Sequence, residues 1–511
     1  MGDGTNQLLR FILEDWKLVV FLTSVFALYF YYTNTFDFFK KKGVKYMKPK
    51  IFFGNLAPRF FAKISFHQFQ LDIYNQFKGE RIGGFFEGKR PILYIFDTEL
   101  IKAVTIRDFE HFVDRNRFVS REPGYLSRSL LNLKGSEWKA VRSTITPTFS
   151  ASRLKIMLPL IDVSTWIQLV PYCLCGCNVQ NEEVEMKSVL GRFTLEVIGT
   201  CAFGIQSDAL EDENKFNFMT WYKRMFLFFL LTFMPPVIRY LNISFFNHES
   251  TSELIRILKN TKAERKDKND FLQLLLDASV KEGEDPNTRR LILKMLLNLN
   301  FFSDLDDDTI DAQSFLFLIA GYETSSTLLS FGIYVLAIKP ELQTQLRNHI
   351  IEVTKDKDIS YELISQLDYL EAFLLETLRM YPPVARVDRC CTKKYTLPDT
   401  NVQVDSGDIV SIPIYAIHMD PKIYPEPNEF KPERFMDKDV KRPSHFLAFG
   451  IGPRNCIGLR FAMFTAKHAM VTLLKNFTFS PCSKTEIPIQ FDKRTFLLKP
   501  MNGLWVKIEK I

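Results

Sequence analysis

A single cysteine in a glycine-rich stretch is the most conspicuous chemical group of this 511-residue chain. Cys456 lies within residues 449–461, "FGIGPRNCIGLRF", and an apolar pattern with helical period follows directly behind it. A thiolate is a strong, soft ligand, and the unpaired N–H groups at a helix N-terminus help to keep the sulfur deprotonated. Gly450, Gly452 and Gly458 remove side chains where the backbone must approach a flat ligand closely. The pattern therefore predicts a cofactor ligand.

One cysteine without a second ligand cannot build a zinc or iron–sulfur site. It can supply the single protein ligand of a haem iron. If this stretch stood alone, a glycine-rich turn around a buried cysteine would be the favoured interpretation.

The remaining cysteines favour a reducing compartment. The chain has eight cysteines, and they lack the paired spacing of a secreted disulfide framework. Cys173, Cys175 and Cys177 form the tract "CLCGC", but no histidine lies nearby, and paired zinc ligands normally stand farther apart. We interpret these three residues as small buried thiols.

A pair of opposite charges lies in a second motif, "ETLR". Glu376 and Arg379 are three residues apart in an apolar helical pattern, so they share one helix face. A buried charge must be paired to be tolerated, and each of these two side chains would neutralise the other. A surface salt bridge is the alternative.

A third group lies inside a long helical pattern that runs from the acidic residues at 306–308 to Pro340. Gly321 costs this helix about 1 kcal/mol relative to alanine. The Thr324 hydroxyl can bond back to the carbonyl of Ala320, a contact that bends helices. Glu323 stands beside that hydroxyl, and such a pair suits proton transfer. On these residues alone, a core threonine beside a solvated glutamate is the safer interpretation.

Together the motifs resemble those of the cytochrome P450 family. The cysteine stretch is similar to its haem-binding signature, "ETLR" and "KPERF" to its buried triad, "AGYETS" to its oxygen-binding stretch, and "WKAVR" to the helix that braces a haem propionate. All five occur in the family's order, and the match covers essentially residues 50–511. The resemblance implies a triangular, mainly helical haem-binding fold, haem b with Cys456 as the iron ligand, and insertion of one oxygen atom from O2 into an apolar substrate.

The resemblance also implies roles for other residues. Arg434 in "KPERF" would complete a triad with Glu376 and Arg379 and satisfy the remaining carboxylate lone pairs, and we interpret this triad as scaffolding for the cysteine loop, not as a catalytic acid or base. Glu323 and Thr324 would relay protons to dioxygen in a groove of the central helix. Arginine is suited to bidentate contact with the haem propionates. The residues expected to bind haem are Trp138, Arg142, Arg115, Arg389, Arg454, Phe449, Gly450, Gly458 and Ala320, with Arg386 competing with Arg389 and His445 as an additional candidate.

The elements that must position these residues are mainly helical. "YELISQLDYLEAFLLETLRMYPP" predicts a helix that stops at Pro382 and Pro383, and the pattern before Pro340 predicts a helix that crosses the core. "RPILYIFD" and "DIVSIPIYAIH" predict strands. The fold class is therefore mainly α with a minor β-sheet.

The N-terminal region predicts an uncleaved membrane anchor. Residues 18–36 are mostly apolar, close to the length of a bilayer helix. A cleaved signal peptide is disfavoured because there is no small-x-small site. Positive charge stays cytosolic, so the catalytic domain should face the cytosol from the endoplasmic reticulum membrane. We expect an anchor at 1–39, a basic hinge at 40–55 and one haem-thiolate domain at 56–511. The cations after the apolar run are Lys40, Lys41, Lys42, Lys45, Lys48 and Lys50.

Composition limits the partners. The net charge of +7 is too small and dispersed to indicate nucleic acid, and 48 phenylalanines indicate a roomy aromatic interior or contact with lipid. No flavin or nicotinamide fingerprint is found. The resemblance therefore implies electrons from NADPH through a membrane-bound NADPH-cytochrome P450 reductase, with cytochrome b5 as an optional second partner. Lys134 and Lys139 would form part of the docking face, with simple solvation as the alternative.

The substrate is expected to be lipophilic, because the family's variable segments are apolar here at 118–131, 315–320, 384–387 and 496–498. The apolar stretch at 225–238 is too short to span a bilayer. It either dips into the headgroup region or packs on the core. Within the family, the chain looks most like microsomal insect enzymes related to the drug-oxidising vertebrate group. That likeness implies detoxification of plant toxins or insecticides.

Three alternatives differ from this expectation. A haem-thiolate isomerase, or a non-catalytic haem sensor, would be expected to lack the Glu323–Thr324 pair or the oxygen groove, and both motifs are present. An enzyme specific for one endogenous hormone or lipid is not excluded. One departure from the family stands in the hinge, where Pro49 is the single proline instead of several. It puts in doubt how rigidly the domain is oriented on the membrane.

Overall fold

The computed structural model describes residues 16–116, 125–165, 170, 183–204, 248–263, 271–273, 306–355, 357, 359–437 and 442–511. The cysteine tract at 173–177 and the apolar stretch at 225–238 lie outside the described residues. So does the first half of the predicted substrate segment 118–131, up to residue 124.

Helices dominate the described part of the chain, which confirms the predicted mainly α architecture with a minor β-sheet. Its α-helices are α1 Trp16–Thr33, α2 Phe38–Lys41, α3 Ala57–Phe60, α4 Phe66–Gln76, α5 Thr98–Lys102, α6 Gly135–Ile145, α7 Ala151–Ser164, α8 Met186–Ile198, α9 His248–Ala263, α10 Asp307–Ile338, α11 Pro340–Thr354, α12 Tyr361–Ser365, α13 Asp368–Met380, α14 Ile414–His418 and α15 Leu459–Asn476.

The described strands form three small sheets. They are β1 Ile82–Glu87, β2 Arg90–Ile95, β3 Glu183–Glu185, β4 Val387–Cys390, β5 Tyr395–Thr396, β6 Gln403–Val404, β7 Ile409–Ile412, β8 Phe477–Ser480 and β9 Trp505–Lys510. The largest sheet has the order β1-β2-β7-β4, and β3-β9-β8 and β5-β6 form the others. In the largest sheet β2 runs parallel to β7, whereas β4 pairs antiparallel to β7 with Arg389 opposite Val410. This register fixes Arg389 on the last strand of the sheet.

The core is built around helix α10. Its N-cap Asp306 accepts a hydrogen bond from the Thr309 N–H at 2.9 Å, and Pro340 opens the next helix directly after it ends. Both features are helix boundary signals that the sequence already carries. Apolar side chains of α10, α13 and α15 are buried in one common cluster. The predicted long helix therefore crosses the core, as expected.

Two sequence expectations about local structure are wrong in detail. "DIVSIPIYAIH" forms a strand only as far as Ile412 and then turns into helix α14. Pro413 separates the two, because it has no N–H to continue the sheet ladder. The single helix expected before Pro382 is divided into α12 and α13, with Ser360 capping α12 through the Leu363 N–H.

Helix α1 carries apolar side chains on its outside. Its side chains are almost all exposed, and it is one of two described helices that are long and apolar enough to cross a membrane. The other is α10, most of which is buried in the core. Helix α1 is therefore the candidate membrane anchor.

The basic hinge, residues 40–55, is attached to the domain by side-chain contacts. Lys42 Nζ donates to Asp405 Oδ2 at 2.9 Å, to Asp408 Oδ2 at 2.7 Å and to the Gln403 carbonyl at 2.8 Å. Tyr46 forms a β-bridge with Gly84. The hinge is thus held by an ion-pair network and main-chain pairing, although it lacks the several prolines expected from the family.

Candidate functional site

The cysteine loop, residues 449–458, lies immediately before helix α15. The Cys456 N–H donates to the Phe449 carbonyl at 2.7 Å, and the Gly450 N–H donates to the Leu447 carbonyl at 2.8 Å. These bonds close the loop on itself and hold the thiol just before the first turn of the helix. Gly458, two residues after the cysteine, is the N-cap of α15.

One glycine of the loop is required by its neighbours. Gly452 has φ +75°, and a Cβ at this position would lie 1.8 Å from the Thr105 carbonyl oxygen. No other residue fits, because both the backbone conformation and the close approach exclude a side chain. Gly458 differs: a Cβ there would find its nearest described neighbour, Phe149, at 3.9 Å. A side chain at Gly458 would therefore make only ordinary van der Waals contact with the described protein atoms.

The thiol of Cys456 is accessible at its surface, although protein encloses it on most sides. Burial raises the pKa of this thiol. The Gly458 N–H and the nearby cations Arg142 and Arg115 lower it again, but by less. The helix N-terminus and these cations favour the thiolate, but they offset only part of the effect of burial on the thiol pKa. A bonded metal ion is the partner that would complete that ionisation.

The structure brings the predicted triad together. Arg379 donates from Nε to Glu376 Oε2 and from Nη2 to Glu376 Oε1, both at 2.7 Å, and both side chains are fully buried. The third member is held more loosely: Arg434 Nε lies 3.4 Å from Glu376 Oε1, and in the described residues it has no hydrogen-bond partner. The Lys431 N–H donates to Glu376 Oε1 at 3.0 Å instead.

A histidine that the sequence analysis missed connects this triad to the cysteine loop. Arg379 Nη1 donates to the His418 carbonyl at 2.9 Å, and His418 Nε2 accepts the Leu447 N–H at 2.9 Å. Leu447 in turn accepts from Gly450 in the loop. Burial, together with the Arg379 charge, lowers the pKa of His418 to about 3, so this ring is neutral. The sequence offered no signal for it beyond one histidine in an apolar segment.

The two competing arginines of the segment at 386–389 have different surroundings. Arg386 is paired: it donates to Glu87 Oε1 at 2.7 Å and to Asp388 Oδ2 at 3.1 Å. Arg389 is buried, and its Nε has no partner among the described residues. Burial and the charge of Arg115 lower the pKa of Arg389 to about 9. Of the two arginines, Arg389 is therefore the better candidate to bind an anionic group of a ligand.

Arg115 and Arg142 bind the loop itself. Arg115 Nη2 donates to the Arg454 carbonyl at 3.0 Å, and Arg142 donates to the carbonyl and side-chain oxygen of Asn455 at 3.1 and 3.0 Å. The Nε of Arg115 has no described partner. Both guanidinium groups retain donors that could serve an anionic ligand beside the cysteine.

Arg454 is satisfied by the main chain. It donates to the carbonyls of Val113, Leu130 and Leu133 at 2.8–3.1 Å, and its guanidinium carbon lies 4.0 Å from the centre of the Trp138 ring. Burial and neighbouring arginines lower its pKa to about 8. Arg454 thus braces the site with Trp138, and fewer of its donors remain for a ligand than the sequence analysis assumed. His445 packs against the Tyr424 ring, and the structure shows no contact between it and these arginines.

The predicted oxygen-side residues lie where helix α10 is not covered by core side chains. Ala320 is exposed, although Leu318 two residues earlier is fully buried. Thr324 Oγ1 donates to the Ala320 carbonyl at 2.6 Å, the back-bond expected from the sequence. Gly321 admits the neighbouring helix α8, since a Cβ would lie 3.0 Å from Ile198.

Glu323 has a partner that the sequence did not predict. Lys187 Nζ lies 3.3 Å from Glu323 Oε1 and donates to the Glu323 carbonyl at 3.1 Å. Lys187 is 136 residues away along the chain, so no local pattern could have identified it.

Parts of the predicted substrate-lining segments adjoin one another. Val384 and Leu497 form an antiparallel β-bridge, and the Leu498 N–H donates to the Pro383 carbonyl at 2.9 Å. Phe315 of helix α10 is buried. These side chains are apolar, in agreement with the expected lipophilic lining.

The residues present fit a haem. Among the described residues, no three His, Cys, Asp or Glu side chains come together as a metal site, so Cys456 is not part of such a cluster there. The arginine cluster of Arg115, Arg142, Arg389 and Arg454 is partly or wholly buried, and burial lowers the pKa of each member. Such a concentration of positive charge, which has no carboxylate ion-pair partner among the described residues, suits a ligand that brings its own anions.

Comparison with known proteins gives a consistent result over nearly the whole chain. Residues 45–506 match the sequence model of the family described as Cytochrome P450. The chain is 38% identical to cytochrome P450 9e2 of Blattella germanica, over 98% of this chain and 99% of that protein. It is 34% identical to cytochrome P450 6a8 of Drosophila melanogaster, over 94% and 96% of the two chains. It is also 34% identical to cytochrome P450 3A13 of Mus musculus, over 98% and 97%.

Proposed function

The chain belongs to the cytochrome P450 family and is a haem-dependent monooxygenase, and from this premise we propose that Cys456 ligates the iron of haem b. We further propose that the enzyme oxidises lipophilic foreign compounds such as plant toxins or insecticides. The observation that carries the proposal is an enclosed thiol near partly or wholly buried arginines that have no carboxylate ion-pair partner among the described residues. Haem, when bound, supplies the iron at which O2 is reduced and one oxygen atom is transferred.

The arginine cluster would hold the propionates. Arg389, with its unpartnered Nε, and Arg115 and Arg142, with free donors beside the loop, are the first candidates. Trp138 and Arg454 would brace the same edge of the cofactor through their stacking contact. Phe449, Gly450, Gly458 and Ala320 would also contact the haem.

The scaffold would fix the ligand rather than take part in the chemistry. Glu376 and Arg379 are fully buried and have no route to a substrate, and their bonds lead through His418 to the cysteine loop. Arg434 would support the same carboxylate from outside. Their role is to keep the thiol at one position.

Thr324 and Glu323 would handle protons. The Thr324 hydroxyl lies on the exposed side of helix α10, next to Ala320, and Glu323 is the adjacent acid. A hydroxyl can accept a proton from one side and donate one on the other, so it can pass protons without changing charge. Glu323 would replenish that proton from the protein side.

Electrons would come from NADPH through NADPH-cytochrome P450 reductase, with cytochrome b5 as a second possible donor. Lys134 and Lys139 are both exposed, which supports a role in docking. Exposed cations increase the rate of association with an acidic partner. Helix α1 would anchor the enzyme in the endoplasmic reticulum membrane, with the catalytic domain on the cytosolic side. The assignment of 1–39 as anchor, 40–55 as hinge and 56–511 as one catalytic domain belongs to this proposal.

The apolar lining supports a lipophilic substrate. Val384 and Leu497 adjoin at a β-bridge, and Phe315 and Ala320 lie on helix α10. Incubation of the reconstituted enzyme with a panel of lipophilic toxins tests this part of the proposal. Turnover of several unrelated compounds supports the proposed oxidation of foreign compounds. An enzyme that turns over only a single endogenous lipid or hormone would contradict it.

The ligand is tested by the difference spectrum of the reduced protein with carbon monoxide. We expect a strongly red-shifted Soret band in the parent enzyme that disappears in Cys456→Ala. Cys482→Ala is the matched control, since Cys482 is a free cysteine far from the loop in sequence, and it should keep the band. A band typical of histidine ligation in the parent, or one that survives Cys456→Ala, would exclude the proposed ligand.

A further inference from the structure

A largely buried lysine of helix α8, Lys187, contacts helix α10 and has no role in the function proposed above. The Lys187 ammonium group faces four oxygen atoms of α10: Glu323 O at 3.1 Å, Ser326 Oγ at 2.7 Å, Thr327 Oγ1 at 2.7 Å and the carboxylate atom Glu323 Oε1 at 3.3 Å. Its side chain is only 13% exposed. A lysine is rarely placed in such a position unless its charge is paired, because burial of an unpaired ammonium is costly.

The backbone at Lys187 is fixed from the opposite side. Glu185 caps helix α8 by accepting the N–H groups of Lys187 and Ser188 at 3.3 and 2.7 Å, and it also accepts the Leu504 N–H at 2.8 Å. The Met186 N–H donates to the Leu504 carbonyl at 2.8 Å. The lysine therefore projects from a rigid position onto α10, so its ammonium group can restrain a side chain there.

The contacts of Lys187 converge on one residue. Ser326 and Thr327 donate to the Glu323 carbonyl at 3.1 and 2.8 Å while their oxygens accept from the lysine. Both the carbonyl and the carboxylate of Glu323 are thus held by the same ammonium group. Glu185 and Lys499 are the next charged groups around it. Glu323 adjoins Thr324, whose hydroxyl is bonded to Ala320 one turn earlier.

We propose that Lys187 is a positioning residue for proton delivery, which fixes the carboxylate of Glu323 and so sets how efficiently that acid supplies protons to Thr324. The inference depends on the proposed function, because it concerns the same oxygen-side residues. Lys187 touches neither the substrate-lining residues nor the cysteine loop in the described structure. Its effect must therefore pass through Glu323.

This predicts a specific defect. In Lys187→Met, NADPH should still be oxidised, but the product formed per NADPH should fall about tenfold. The remaining electrons should be recovered as hydrogen peroxide. Lys187→Arg keeps a cation at the same position and should recover most of the product fraction. Lys499→Met removes a nearby exposed lysine that has no contact with Glu323 and should leave the product fraction unchanged.

A double-mutant cycle separates positioning from a merely structural role. If Lys187 acts through Glu323, adding Lys187→Met to Glu323→Gln should cause no further loss of product fraction. If the two losses multiply, the proposal is wrong. This comparison also serves if Lys187→Met alone does not accumulate, since Glu323→Gln removes the carboxylate that would be left unpaired.

A second readout is independent of turnover. In thermal unfolding, Lys187→Met/Glu323→Gln should have a higher midpoint than Lys187→Met, because the double variant buries no unpaired carboxylate. Equal midpoints would contradict the pairing on which the inference rests. The carbon monoxide spectrum of the parent distinguishes the two levels: a parent without the red-shifted band refutes the proposed function, whereas a normal parent with additive variants refutes only the role of Lys187.

Discussion

Arg379 and Glu376 form a bidentate ion pair, with both nitrogen–oxygen distances at 2.7 Å, from which solvent is fully excluded. The same guanidinium also donates to the His418 carbonyl, and His418 reaches the loop that carries Cys456. Desolvation makes such a pair a modest contributor to net stability, but the loss of one partner leaves a buried charge uncompensated. Loss of either partner should therefore destabilise the fold and disturb the loop that carries Cys456.

Arg379→Met should destabilise the folded protein by about 3–5 kcal/mol, because the carboxyl group of Glu376 would remain buried without its bidentate partner. The measurement is chemical unfolding followed by circular dichroism, together with the haem content of the purified protein. Both should recover substantially in Arg379→Met/Glu376→Gln. An equally unstable double variant would contradict the explanation by unpaired charge.

Arg434→Met is the matched control for this prediction. Its Nε lies farther from the Glu376 carboxylate and has no described hydrogen-bond partner, so its loss should cost about 1–2 kcal/mol at most. A loss of unfolding free energy as large as that of Arg379→Met would mean that Arg434 contributes as much as Arg379 to neutralising Glu376.

Arg389→Leu and Arg386→Leu should affect different properties, haem retention in the first case and stability of the fold in the second. Arg389→Leu removes a buried cation without a carboxylate partner, so the fold should be little affected while haem dissociates about tenfold faster or more, as expected for loss of a charge-assisted hydrogen bond. Arg386→Leu leaves Glu87 and Asp388 without their cation and should mainly lower the free energy of unfolding. Haem transfer to a scavenging protein measures the first effect and chemical unfolding the second.

The assignment of Arg389 to the cofactor would be contradicted by one result. If Arg386→Leu loses haem faster than Arg389→Leu at equal stability, the two residues have exchanged roles. The sequence alone could not decide between them, and this comparison does so.

His418 should contribute to loss of stability in acid. Its pKa is about 3 in the folded protein and about 6.5 in an unfolded chain, so between these values the unfolded state binds more protons. Stability therefore rises with pH across this window and falls on acidification, by up to about 1.4 kcal/mol per pH unit from this one group.

The variant His418→Asn checks the slope. An amide can still donate and accept a hydrogen bond but does not titrate in this range. Unfolding free energies measured between pH 7 and 5, in the variant and the parent, should differ in slope by about one proton. Identical slopes would show that another group is responsible, and His67, whose pKa is lowered to about 4 by burial, would be the next to test.

Thr324 should affect the fate of electrons more than binding. Thr324→Val keeps the shape of the side chain but removes the hydroxyl bonded to Ala320, and the product formed per NADPH should fall by about tenfold or more. Thr324→Ser retains the hydroxyl and should stay close to the parent. Product and hydrogen peroxide are measured in the same reaction. A serine variant as defective as the valine variant would assign the effect to packing.

The sequence predicted best what depends on neighbours along the chain. The Glu376–Arg379 pair and the Thr324–Ala320 bond follow from helix geometry at spacings of three and four residues. Helix α10 was also predictable, because its acidic start and its proline stop are local signals. In the short apolar segment 408–418, periodicity could not separate the strand from helix α14.

Contacts between segments that are distant along the chain could not be predicted from the sequence. Lys187 meets Glu323 across 136 positions, and Arg386 meets Glu87 across 299. Whether an arginine is free for a ligand depends on such partners, which only the packing of the sheet and helices decides. His418 was missed for the same reason, because its importance lies in connecting Arg379 of helix α13 to Leu447, next to the cysteine loop.

The attachment of the hinge has a practical consequence for where the chain can be shortened. Phe39 is buried against Phe86, and Lys42 is bound to Asp405 and Asp408, so both behave as parts of the globular unit. A truncation that removes residues 1–33 takes away the apolar helix and leaves these contacts intact. A cut at residue 55 would uncover Phe86 and leave Asp405 and Asp408 without Lys42, and the shortened protein should aggregate.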